Sequence, residues 1–126
     1  MNLAYWCVLI AGMMPVLTIA IAKGRRGYDN ANPRPWLDKQ QGLPRRADYA
    51  HRNHFEAFPF FAAAVIIAEQ LHVTQSSIDA LAVAFIATRI VYTFFYLTDR
   101  ATLRTAAFTI GYGCVIGLFL LAAYKA

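Results

Sequence analysis

The stretch YAHRNHFEAFPFF, Tyr49 to Phe61, sets two histidines, an arginine, an asparagine and a glutamate directly against a run of phenylalanines. On a helix, Tyr49, Arg52, Asn53 and Glu56 fall three and four residues apart and share a face, while Phe55, Phe58 and Ala62 lie elsewhere around the cylinder. One side is polar and the other greasy. An ionisable group at membrane depth costs about 2.5–3.5 kcal/mol on insertion scales, so such a face turns towards protein or a wet cavity and marks a functional site.

The rest of the chain places this helix in a membrane. Of 126 residues, 59% are hydrophobic and 15% charged, an apolar fraction above the roughly 45–50% of soluble domains. Leu3–Ala22 and Thr105–Tyr124 are runs of 20 residues without a charge, each long enough to cross about 30 Å of hydrocarbon. Two weaker spans lie between them: Phe55–Ala68, extended upstream by the polar cluster, and Ile78–Thr98, interrupted only by Asp79 and Arg89. The expected architecture is a single all-α integral membrane domain, a bundle of four transmembrane helices over 3–22, 48–71, 77–98 and 103–124. A cleaved signal peptide is the weaker reading of the first run, because Met1–Tyr5 carries no Lys or Arg.

The first connection, residues 23–47, holds seven Lys/Arg, the Glu69–Ser77 connection none and the Asp99–Arg104 connection two. By the positive-inside rule the first and third face the cytoplasm and both termini the other side. That asymmetry accounts for the net charge of +5, so no nucleic-acid partner is implied. Pro33, Pro35 and Pro44 with Gly24, Gly27 and Gly42 make the first connection a stiff, turn-rich segment and not a helix. Tyr28 and Trp36 suit the membrane–water interface. Cys7 and Cys114 fall inside spans as small buried hydrophobes, and no spacing builds a metal or redox site.

Charge pairing inside the bundle has several readings. Glu56 has no long stem on which to reach water, and Arg52 at four residues' distance is one partner. His54 lies off the shared face and reads best as solvated. In the third span Arg89, Tyr92 and Tyr96 stand at i, i+3 and i+7 along one face. Arg89 either neutralises Glu56 across the bundle or holds an anionic ligand. Arg104, with Thr105 after it, opens the last span where a cation opposes the helix dipole, so something else must favour it. These groups converge near the inner ends of three helices and the basic Arg25 and Arg26.

Read as Ala50-x-x-Asn53-x-x-Glu56-x-x-Pro59, the opening stretch resembles the signature of the membrane-associated proteins in eicosanoid and glutathione metabolism. Its AHRN looks most like the branch of microsomal glutathione transferase 1 and prostaglandin E synthase. The long basic loop, the Arg89-x-x-Tyr92-x-x-x-Tyr96 pattern and Arg104-Thr105 follow in the same order, so the resemblance covers the whole chain. It implies a homotrimer of four-helix bundles with glutathione as co-substrate at each subunit interface and a lipophilic small molecule entering from membrane lipid. Arg52, Asn53, Glu56 and His51 match the motif residues that hold glutathione, with Arg89, Tyr92 and Tyr96 as third-helix contacts. Arg25 and Arg26 are further carboxylate partners. Arg104 matches the arginine that stabilises the thiolate, and Thr105 stands where that branch has a serine. Tyr92 stands where the synthase branch has histidine, Tyr49 replaces a common arginine, and Phe108 replaces a tyrosine. The implied function is a glutathione transferase or peroxidase acting on a lipophilic electrophile or lipid hydroperoxide. The alternatives are a non-catalytic lipid-binding scaffold and a small proton-coupled exporter.

Overall fold

Long uninterrupted apolar runs fold as helices because a helix satisfies its own backbone hydrogen bonds. The computed structural model, which describes residues 1–125, consists of five helices: α1 (Leu3–Lys23), α2 (Pro33–Asp38), α3 (Leu43–Gln70), α4 (Gln75–Leu97) and α5 (Ala101–Lys125). Three of them, α1, α4 and α5, are long and apolar enough to cross a membrane. The fourth long helix, α3, carries Arg45, Arg46, Asp48, Arg52, Glu56 and Glu69 along its length. It is therefore the polar member of the bundle.

Helix α1 packs along α3 and α4 along α5, with α3 joining the two pairs. Alanines at the contacts, including Ala4, Ala64, Ala68, Ala82 and Ala122, are buried, and their small side chains let the backbones approach. Between them Phe61 stacks on Phe85 with ring centroids 4.0 Å apart. Cys7 and Cys114 are free and buried. Gly111 sits where α5 meets α4 most tightly: a Cβ there would come within 2.6 Å of Thr88 Oγ1, and that hydroxyl is already donating to the Phe85 carbonyl. Gly111→Ala accordingly destabilises the bundle by about 1–3 kcal/mol. Adding Thr88→Ala recovers most of the loss, as thermal unfolding in detergent would show.

One expectation about the first connection fails. A short helix, α2, occupies Pro33–Asp38 inside it. The prolines that argued against a helix fall at its start, where the first-turn N–H groups have no intrahelical partner and a fixed φ favours helix entry. Leu37 then tucks against Ile19, Ala22 and Ala47, with Trp36 at the margin. Just before α2, the side chain of Asn32 and the N–H of Ala31 donate to the Asp29 carboxylate and hold it below its usual pKa. Gly42, at φ 63°, turns the chain into α3, which begins ahead of the apolar segment because Pro44 suits a first turn.

The other two turns are short. His72 and Asp99 occupy the left-handed region at φ 54° and 59°, and the following N–H groups of Val73 and Arg100 close back on Ala68 and Phe95 carbonyls. At that first turn, Asn2, Glu69, Gln75 and Asp79 form a hydrogen-bonded cluster that ties the start of α1 to α3 and α4.

Candidate functional site

Spacing along α4 sets Arg89, Tyr92 and Tyr96 on one face, and the following turn brings the start of α5 beside its end. The four side chains form a column. The Arg89 guanidinium lies 4.3 Å from the centre of the Tyr92 ring, Tyr92 meets Tyr96 edge to face at 5.6 Å, and Arg104 lies 4.4 Å from the centre of the Tyr96 ring. Each guanidinium thus rests on an electron-rich ring face. Among the described residues the only ion pairs are those of Arg52, so neither Arg89 nor Arg104 is cancelled by a carboxylate. The arrangement is a cationic seam held in place by phenols.

Beside the seam, α3, α4 and α5 enclose a cavity of about 140 Å³. Asn53, Glu56 and Arg89 line its polar side; Phe60, Phe85, Phe108 and Tyr112 line the apolar one. Gly111 belongs to the wall as well. Glu56 is exposed at the rim, and Asn53 Nδ2 donates to its carboxylate at 3.3 Å. The other end of that amide, Oδ1, is buried without a partner. Such a cavity has the chemistry for a molecule with both charged and apolar parts.

Two of the pairings considered do not form, and one residue read as solvated is buried. Arg52 does not reach Glu56; its guanidinium bridges Asp48 at 2.8 Å and Asp38 at 3.2 Å. Asp48 four residues before Arg52 is the better-oriented intrahelical partner, acid before base, and α2 supplies the second acid. Nor does Arg89 neutralise Glu56. It donates from Nη2 to His54 Nδ1 at 2.9 Å and from Nε at 3.3 Å. His54, read as solvated, is 3% exposed. Its position off the shared polar face points it inward to α4 and not outward to water, a distinction helical spacing alone does not draw.

The remaining residues divide by location. His51 Nδ1 lies 2.7 Å from the Pro15 carbonyl of α1. Thr105 is exposed, and its hydroxyl donates to the Ala101 carbonyl at 3.1 Å. Arg25 and Arg26 are exposed in the loop after α1. Tyr49 accepts from Arg45 at 2.7 Å, so a cation four residues upstream stands near the place of the missing arginine. The structure therefore brings together Asn53, Glu56, Arg89, Tyr92, Tyr96 and Arg104, and leaves His51, Arg25 and Arg26 apart. Asp38, Asp48 and Thr93 are the participants not singled out from sequence, although the spacing of Asp48 and Arg52 carried a signal.

Comparison with curated proteins finds no match, and comparison with solved structures finds none. A family model does match, over residues 3–124, and it is that of the MAPEG family. Membership fits a glutathione-related or eicosanoid-related role in general, and with α1, α4 and α5 suited to a bilayer it makes this an integral membrane protein. The chain belongs to the MAPEG family.

Proposed function

We propose that the protein is a membrane-bound glutathione transferase or peroxidase of the branch that contains microsomal glutathione transferase 1. It crosses the bilayer four times, with α3 as the polar crossing, and assembles as a homotrimer. The basic loop and the site face the cytoplasm, and the termini the opposite side. Exposed Leu3, Trp6, Met13 and Leu17 on α1, with Ile110 and Leu120 on α5, provide apolar surface for lipid and for neighbouring subunits.

The observation that carries the reading is the uncancelled cationic seam from Arg89 to Arg104. Glutathione has two carboxylates and one ammonium: Arg89 suits a carboxylate and Glu56 the ammonium. Arg25 and Arg26 of a neighbouring subunit suit the second carboxylate. A free thiol with a pKa of about 8.5 is mostly protonated at neutral pH, and a guanidinium beside a helix N-terminus raises its thiolate fraction. Arg104 lies in the first turn of α5 and supplies that cation. In conjugation the thiolate lone pair forms the bond to an electrophilic carbon and the leaving group departs with its electron pair.

Both bridges of Arg52 use Nη2, and the two carboxylates offset the charge that its guanidinium offers a ligand. Asp38→Asn removes the outer one, and because exposed ion pairs are worth about 0.2–1 kcal/mol, glutathione affinity is expected to rise by up to about fivefold. Equilibrium dialysis of both proteins in detergent reads this directly. The reading as a whole is tested by saturable glutathione binding together with conjugate formation from an activated chloroarene. Absence of both removes it.

A second reading, a lipid-binding scaffold without turnover, is favoured by one feature: the Thr105 hydroxyl is spent on Ala101 and must rotate before it donates to sulfur. Glutathione binding with no conjugate from any electrophile would select it.

A further inference from the structure

We infer that His54 is a positioning residue that holds Arg89 in place while leaving its charge free for a ligand. The inference rests on the glutathione reading and adds to it the reason that Arg89 is available to an anion. Arg89 is 3% exposed, and a buried guanidinium without hydrogen-bond partners is strongly unfavourable. Proteins usually meet that need with a carboxylate, which also cancels the charge. Here the acceptor is an imidazole.

Donor and acceptor rules fix its state. A guanidinium only donates, so His54 Nδ1, 2.9 Å from Nη2 and 3.3 Å from Nε, offers its lone pair. The ring proton then sits on Nε2, which donates to Thr93 Oγ1 at 2.8 Å. The Thr93 hydroxyl in turn donates to the Arg89 carbonyl at 2.8 Å. The loop closes on Arg89 itself, each bond consistent with the next. His54 is thereby neutral, the cluster keeps one positive charge, and that charge borders the cavity shared with Asn53 and Glu56. A carboxylate in place of His54 would give the same geometry and no net charge.

Two measurements on the full chain in detergent test this. The first is the nitrogen-15 spectrum of histidine-labelled protein in which His51→Gln and His72→Gln leave His54 as the only histidine. The expected result at neutral pH is an unprotonated Nδ1 and a protonated Nε2; a proton on Nδ1 overturns the assignment. The second is glutathione affinity. His54→Asn keeps an acceptor and the charge, and is expected to weaken binding by no more than about threefold. His54→Asp keeps an acceptor and cancels the charge, and is expected to weaken it by about tenfold or more. Equal affinities for the two variants overturn the role given to the charge. If the wild-type chain binds no glutathione, the function proposed above fails, and the spectrum still decides whether His54 holds Arg89.

Discussion

Under the proposed function, Arg104→Ala is expected to lower glutathione-dependent turnover by about 100-fold or more while leaving the folded bundle as stable as before. The first half follows from the scale of preorganised charge stabilisation: removing one donor aimed at a developing or stabilised anion costs roughly 10²–10³ in rate. The second half follows from where the residue stands. A cation in the first turn of a helix opposes the macrodipole by about 0.3–1 kcal/mol, and stacking on Tyr96 at 4.4 Å returns a similar amount. Losing both leaves the melting temperature nearly unchanged. Arg104→Lys keeps the charge without the planar guanidinium and recovers part of the rate. Turnover and thermal unfolding of the three proteins together separate a catalytic arginine from a structural one. Equal loss of rate and stability in Arg104→Ala would contradict this account.

Phe61→Ala has the largest expected effect on stability, about 3 kcal/mol or more. Phe61 is 0% exposed and stacks on Phe85 at 4.0 Å, at the junction of α3 and α4. In a bilayer the loss comes from packing and not from exposure to water, because lipid tails are as apolar as the core. Function suffers too, since Phe85 also lines the cavity and loses the ring that holds it. Phe55→Ala is the control: that ring is 52% exposed, and its removal should stay within about 0.5 kcal/mol. Unfolding by a denaturing detergent, followed by circular dichroism, measures both.

How much of this was legible in the sequence depended on whether the signal was local. The charge-free runs of α1 and α5 announced helices by length alone, and the Arg89, Tyr92, Tyr96 spacing announced one face of α4. Helix α2 was hidden because proline reads as a breaker unless its place in the first turn is known. Pairings were the least legible. Arg52 had an acid four residues away on each side, Asp48 and Glu56, and the choice fell to the inner helix geometry and to Asp38, fourteen residues away. His54 and Arg89 are 35 residues apart, and nothing in either segment states that the two helices present those faces to each other. The seam's continuation from Tyr96 to Arg104 likewise depends on the turn at Asp99.

Glutathione bound at the proposed site is expected to ionise to its thiolate. Difference absorbance in the near-ultraviolet band where thiolates absorb and thiols do not, recorded at neutral pH as glutathione is added to the solubilised protein, tests it most directly. The expected result is a saturable thiolate band that is lost in Arg104→Ala. Glutathione bound without that band, or a band that survives the substitution, would contradict it.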